Sequence, residues 1–131
     1  MVFDSEFIWY QDKYVFHITN KENIKSIKEK GLVPKIGERS KQVGDTVKGI
    51  YFFDNIYNLY EWIECLYKNK DITSLALLRF NLKRRKWFIH NNCEDFYIIH
   101  KVSPDKIEYL ENLDGRVYEK ELIWKKLNSY N

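Results

Sequence analysis

The sequence predicts an α+β fold in a single domain, on three observations. Apolar segments of strand length outnumber the helix-like segments, and the helix-like segments come early while most strands come late. The chain has 131 residues, of which 44% are hydrophobic and 17% aromatic, so it can bury one sizeable core. We therefore expect one domain over residues 1–131, with a sheet or a split sheet and helices to one side.

Two strands are predicted before the first helix. Residues 3–10 are aromatic and extended in character, and a short polar segment separates them from the apolar run at residues 14–19. The two form a hairpin or lie as neighbouring strands. Alternation places Val15, His17 and Thr19 on one face of the second strand. Taken alone, a histidine in such a run is more typical of a core residue than of a binding site.

The first helix is predicted over residues 21–30, where isoleucines recur at helical spacing and lysines and glutamates point outward. Thr19 or Asn20 is expected to cap its start, because a short side-chain oxygen accepts from free backbone N–H groups. Gly31 is expected to end it, because glycine adopts positive φ without a steric penalty.

A long loop is predicted over residues 33–48, which contain proline, two glycines and many charges but little periodicity. Loops of this length in a compact domain are more often functional than not. Arg39 and Ser40 are its most informative polar residues. An arginine here suits a phosphate or ribose contact and equally suits a solvated loop charge.

A short strand is predicted at residues 49–53, and alternation places Gly49 and Tyr51 on the same face of it. A second helix is predicted over residues 56–68, preceded by residues suited to cap it. Tyr60 belongs to its apolar stripe, for which a core position is the default interpretation.

The second half of the chain is rich in strands. They are predicted at residues 73–82, 87–90, 93–100 and 106–110. The first of them is almost continuously apolar, which indicates a central position in a sheet. Lys83–Lys86 follows it with four cations, which suit a solvated turn or a contact with a phosphate backbone. Residues 118–128 fit a closing strand or a helix, and we expect the helix.

Composition excludes several classes of function. A formal net charge of +3 permits a nucleic-acid or acidic partner without requiring one. The two cysteines lack metal-ligand spacing, so we expect no metal site. The longest apolar runs are too short to span a membrane, and the acidic start is unlike a signal peptide. We expect a cytoplasmic protein without a membrane partner.

Four segments in a fixed order carry a resemblance to a known family. They are VFHIT at residues 15–19, Asn23–Leu32 with its Lys-Gly-Leu end, KGIYFF at residues 48–53, and Phe96–Leu110. Together they resemble the ADP-ribosyltransferase superfamily, in particular the His–Tyr–Glu branch shared by poly(ADP-ribose) polymerases and diphtheria-toxin-like enzymes. The first segment looks like the histidine strand of that branch, and the third looks like its Lys-Gly-Ile-Tyr-Phe strand. The resemblance covers most of the chain, from about residue 14 to about residue 110.

The resemblance implies a split β-sandwich with two short helices flanking a cleft that binds NAD as a substrate, without a metal. His17 would hold a ribose hydroxyl, and Tyr51 would stack on the flat cationic nicotinamide ring. The backbone of Ile18, at a position where the family often has glycine, would bind the carboxamide. Further NAD contacts are predicted at Thr19, Arg39, Ser40, Gly49 and Tyr60.

The resemblance also implies a catalytic carboxylate, which stabilises the positive charge that develops as nicotinamide leaves. Glu94 and Asp95 are the two candidates. The chemistry of the family favours Glu94, whereas the spacing back from Val102 points to Asp95. Adjacent residues of a strand face opposite sides of the sheet, so only one of the two carboxylates serves.

The activity implied is mono-ADP-ribosyl transfer from NAD to a protein or nucleic-acid acceptor, and the small size suggests a toxin-like or phage-type effector. Two alternatives stay open. An RNA 2′-phosphotransferase shares the fold family but relies on several basic residues, of which Arg39 is the one in a matching place. A non-catalytic module would keep the fold and bind protein or nucleic acid. The sequence does not indicate an oligomeric state.

Overall fold

The computed structural model describes residues 4–35, 48–57, 61, 72–90, 95–113 and 121–131. The fold is α+β, as predicted, with two antiparallel sheets and short helical segments. The described strands are β1 (Ser5–Trp9), β2 (Tyr14–Asn20), β3 (Ile50–Phe52), β4 (Leu75–Asn81), β5 (Arg85–Ile89), β6 (Phe96–Ile98), β7 (Glu108–Leu110) and β8 (Trp124–Lys126). The helix α1 (Ile24–Lys30) continues a 3-10 turn, and other 3-10 turns lie at Ile72–Ser74, Pro104–Lys106 and Leu127–Ser129.

The strands form two four-stranded sheets that meet at β2 and β3. Sheet A has the order β1-β5-β6-β3, and sheet B has the order β2-β4-β7-β8. The first two strands therefore form neither a hairpin nor a neighbouring pair, which corrects both alternatives of the prediction. Backbone bonds show why: Arg84 N–H donates to the Trp9 carbonyl at 2.6 Å, and Leu82 N–H donates to the Lys13 carbonyl at 2.8 Å. The polar segment between β1 and β2 thus crosses from one sheet to the other alongside the β4–β5 turn.

Strand β4 is the interior strand that its apolar sequence predicts. It lies between β2 and β7 and is covered on both faces. Leu78 and Phe80 belong to the main core together with Ile24 of α1, whereas Leu77 belongs to a second cluster on the other face. All four side chains are at most 2% exposed. Burial on both faces explains why the apolar run is not alternating.

The start and the end of the first helix differ in how well the sequence predicts them. Gly31 ends it with φ of 79°, and a Cβ there would lie 2.1 Å from the Val102 carbonyl oxygen, so the predicted glycine stop is confirmed. Asn20 occupies the N-cap position of the 3-10 turn that leads into the helix, as predicted, but its side chain makes no cap bond. The Thr19 hydroxyl instead accepts from the Asn23 side chain at 3.0 Å.

A strand, β8, lies at Trp124–Lys126, within the segment 118–128 for which we expected a helix, and residues 118–120 lie outside the described residues. Strand β8 pairs antiparallel with β7, and its Trp124 ring lies 5.8 Å from the Phe16 ring and 4.4 Å from the Arg79 guanidinium. These contacts on sheet B outweigh the weak local helix preference. For the second predicted helix, Ile56, Tyr57 and Glu61 are helical. The remainder of residues 56–68 lies outside the described residues.

Candidate functional site

Backbone bridges flank Tyr51 on both sides, one to strand β2 of sheet B and one to the segment that follows α1. Phe16 of β2 and Phe53 exchange backbone bonds of 2.9 and 2.7 Å. On the other side, Gly49 exchanges bonds of 3.1 and 3.2 Å with Lys35. The intervening residue of β3, Tyr51, instead has its carbonyl oxygen 2.7 Å from His17 Nδ1. We call His17, Ile18 and Tyr51 the β2–β3 gap.

The backbone of Ile18 faces this gap. Successive residues of an antiparallel strand direct their N–H and C=O groups to opposite sides. Phe16 directs both groups toward β3, as its bridge to Phe53 shows. Ile18, two residues further along β2, therefore presents one donor and one acceptor in the same direction, at the level of Tyr51.

Its surroundings favour the neutral form of His17 and one tautomer. Burial lowers its pKa below the ordinary value of 6.5, the nearby charge of Lys35 acts in the same direction, and the bond to the Tyr51 carbonyl acts against both. A carbonyl oxygen only accepts, so Nδ1 carries the proton. Nε2 of the neutral ring then keeps its lone pair and acts as a hydrogen-bond acceptor.

Tyr51 lies beside a row of aromatic rings. Tyr97 is its direct partner across the β3–β6 pair, with ring centroids 5.4 Å apart. Phe88 stacks on Tyr97 at 5.2 Å with the planes 17° apart. The Tyr97 hydroxyl donates to the Asp4 carboxylate, whose two oxygens each lie 3.0 Å from His90 Nδ1. Tyr97 is 4% exposed, so the ring that contacts Tyr51 is fixed from several directions.

Gly49 has a packing role in this row. A Cβ at this position would lie 2.7 Å from Tyr97 Cδ2, so glycine allows β3 to pass beneath the ring. Its N–H and C=O are both bonded to Lys35. The predicted contact of Gly49 with NAD stays a prediction.

Asp95 shares a face with Tyr51. The backbone N–H of His90 donates to the Asp95 carbonyl at 3.0 Å, which extends the β5–β6 ladder by one pair beyond Ile89 and Phe96. Alternation then puts Asp95 on the side of Tyr97, and Tyr97 is directly opposite Tyr51. The other candidate acid, Glu94, lies outside the described residues.

The remaining predicted site residues divide into two groups. Thr19 lies on the His17 face of β2, where its hydroxyl already accepts from Asn23. Arg39, Ser40 and Tyr60 lie outside the described residues. Sequence reasoning missed Asp4 and Tyr97. Strand alternation from Asp95, together with the glycine at position 49, offered a signal for Tyr97. No local sequence pattern indicates that Tyr97 bonds to Asp4, which lies 93 residues away.

Comparisons with known proteins add no relatives. A scan of protein-family models and searches of curated proteins and of solved structures gave no match to this chain. Across the described ranges, none of the helices has the length and apolar character needed to cross a membrane. Within the same ranges, no three His, Cys, Asp or Glu side chains gather as metal ligands would.

Proposed function

We propose that this chain is a mono-ADP-ribosyltransferase that uses NAD as its substrate, and that its two sheets form the split β-sandwich of that superfamily. The observation that carries the proposal is the bond between His17 Nδ1 and the Tyr51 carbonyl at 2.7 Å. It joins the histidine strand to the tyrosine strand, 34 residues apart in sequence. The resemblance to the family begins in the histidine strand and is strongest at residues 48–53, around the tyrosine strand.

The chemistry of the β2–β3 gap matches the nicotinamide end of NAD. A carboxamide offers one acceptor and an NH₂ donor, and the Ile18 backbone offers the complementary donor and acceptor. The Tyr51 ring supplies a flat electron-rich surface for the cationic ring. Nε2 of His17 is suited to accept a bond from a ribose hydroxyl, and the charge of Lys35 near His17 favours an anionic substrate.

The proposed reaction breaks the bond between ribose C1′ and the nicotinamide nitrogen. The bonding electrons leave with nicotinamide, a nucleophilic atom of the acceptor bonds to C1′, and the proton of the acceptor passes to solvent. Positive charge develops on the ribose as nicotinamide leaves, and a carboxylate stabilises that charge best where water is excluded. The position of Asp95 on the Tyr51 face supports Asp95 for this role.

Nicotinamide release from labelled NAD tests the proposal, with a cell lysate as the source of acceptors. The parent protein is expected to release nicotinamide and to label a macromolecule. Tyr51→Ala is expected to abolish release, whereas Tyr51→Phe, which keeps the ring, is expected to retain it. If the parent protein releases no nicotinamide and NAD does not raise its unfolding temperature, the proposal is wrong and a non-catalytic binding module is the better description.

A further inference from the structure

The segment between β1 and β2 and the turn between β4 and β5 form one cationic surface. We call it the basic surface and define it as Tyr10–Tyr14 together with Lys83–Lys86. Besides the two backbone bonds that join these segments, the Asn81 side-chain oxygen accepts from the backbone N–H groups of both Lys13 and Lys83, at 3.3 and 2.8 Å. These bonds cross-link the two segments, so the backbone that carries the cations is held in one arrangement.

The basic surface has an excess of positive charge. Lys83 lies 3.8 Å from Asp12, and Lys86 lies 3.2 Å from Glu6 just outside the surface. Lys13 donates to the main-chain carbonyl of Asp54 at 3.4 Å and lies 5.6 Å from the centroid of the Trp9 ring, and neither the carbonyl nor the ring is an anion. Among the residues that the structure describes, neither Arg84 nor Arg85 is ion-paired with a carboxylate. Three cations therefore remain available to an anion.

Arg85 is the most informative of these cations. It lies opposite Trp9 in the β1–β5 pair and is partly buried, and this burial lowers the pKa of its guanidinium. A guanidinium stays protonated in proteins, so it bears the cost of desolvation without a carboxylate in return. An arriving anion would offset that cost, whereas fully exposed lysines gain little from pairing.

Exposed aromatic rings accompany the cations. Tyr10 is 70% exposed and adjoins Trp9, whose carbonyl holds the Arg84 N–H. Tyr14 is 43% exposed, and the guanidinium of Arg79, 4.1 Å from the ring centroid, covers one face of its ring. Proteins bind single-stranded nucleic acids with cations that contact the phosphate backbone of the strand and with exposed aromatic rings on which its bases stack. An acidic polypeptide would use the cations but not the rings.

We propose that the basic surface binds single-stranded nucleic acid, with phosphates at Lys13, Arg84 and Arg85 and a base on Tyr10. The surface lies close to the β2–β3 gap, because Lys13 precedes His17 by four residues, about 13 Å along an extended strand. The bound strand is also the acceptor of the transferred ADP-ribose, a step that rests on the proposed function. Binding itself needs neither NAD nor catalysis.

Fluorescence anisotropy with labelled single-stranded RNA and DNA of about twelve nucleotides tests the proposal between about 50 and about 200 mM salt. The double variant Lys13→Ala/Arg84→Ala is expected to weaken binding about tenfold at the lower salt concentration. It is also expected to reduce the slope of the logarithm of the binding constant against the logarithm of the salt concentration by about 1.4, which corresponds to the loss of two phosphate contacts. The matched control is Lys25→Ala/Lys126→Ala, which removes two exposed lysines from α1 and β8. The control is expected to change neither quantity.

The aromatic part of the proposal has its own test. Tyr10→Ala is expected to weaken binding at least about fivefold, and Tyr10→Phe is expected to preserve it, because stacking requires the ring and not the hydroxyl. Separate RNA and DNA titrations show which strand is preferred.

Three outcomes would overturn the proposal. They are no saturable binding at the lower salt concentration, equal losses in the control double variant, and polyglutamate binding as tightly as the oligonucleotides with no effect of Tyr10→Ala. Binding without any NAD turnover would leave the surface established and would count only against the proposed transfer.

Discussion

The imidazole of His17 donates a 2.7 Å hydrogen bond to the main-chain carbonyl of Tyr51. The bond lies between two backbone bridges, one from Phe53 to Phe16 and one from Gly49 to Lys35. A side chain thus supplies the partner of this carbonyl at the place where the two sheets separate. The backbone N–H and C=O of Ile18 face the gap at the level of Tyr51, and this opening is the basis of the proposed NAD site.

The lowered pKa of His17 predicts a pH dependence of stability. The unfolded chain keeps the ordinary value of 6.5, so on acidification it takes up a proton before the folded protein does. The contribution of His17 to the free energy of unfolding is therefore complete above about pH 6.5 and falls as the pH drops through that value. Urea denaturation is expected to show a larger loss between about pH 7.5 and about pH 5.5 for the parent than for His17→Asn.

The control for this prediction lies in the protein itself. His90 and His100 are present in both proteins, so the difference between the two pH profiles isolates His17. The asparagine side chain can donate to the Tyr51 carbonyl but does not titrate. Parallel pH profiles for the parent and the variant would show that His17 titrates alike in the folded and unfolded chains.

The two candidate acids are separated by matched amide substitutions. Asp95→Asn is expected to lower the rate of nicotinamide release by at least about 100-fold, because it removes the negative charge on the Tyr51 face. Glu94→Gln, made in parallel, is expected to change the rate little. Thermal unfolding of both variants checks that the fold is intact. The reverse ranking would name Glu94 as the acid and contradict the argument from strand alternation.

Gly49→Ala tests the packing of β3 beneath the aromatic row. The new Cβ would lie 2.7 Å from Tyr97 Cδ2, so the ring or the strand must move. We expect a loss of about 1–3 kcal/mol in the free energy of unfolding, as is typical of overpacked sites. Chemical denaturation measures it.

A double-mutant cycle provides the control for Gly49. In a Tyr97→Leu background the ring is absent, and the cost of Gly49→Ala is expected to fall markedly. An unchanged cost would trace the effect to the backbone conformation of Gly49 rather than to the contact with the ring.

Local sequence patterns predicted the features whose causes are local. The isoleucines of α1, the glycine that ends it and the apolar run of β4 each occur in the structure as expected. Their physical causes, which are helical spacing, positive φ and burial on both faces, act within a few residues of the chain.

Predictions that depended on partners distant in the sequence were less accurate. Strands β1 and β2 join different sheets because their partners, β5 and β4, come much later in the chain. The tail forms β8 because Trp124 packs on Phe16. In the candidate site, His17 and Tyr51 were named from the sequence, but their hydrogen bond and the support of Tyr97 by Asp4 were not. Strand register determines such contacts, and alternation alone does not reveal it.

Titration of ¹⁵N-labelled protein with NAD, followed through the backbone amide resonances, tests the central claim most directly. The Ile18 N–H is proposed to bond to the nicotinamide carboxamide. Its resonance and that of Tyr51 are therefore expected to shift in a saturable manner, and nicotinamide alone is expected to shift Ile18 in the same direction. His17→Ala is expected to weaken the response. Unchanged Ile18 and Tyr51 resonances at millimolar NAD would contradict binding at the β2–β3 gap.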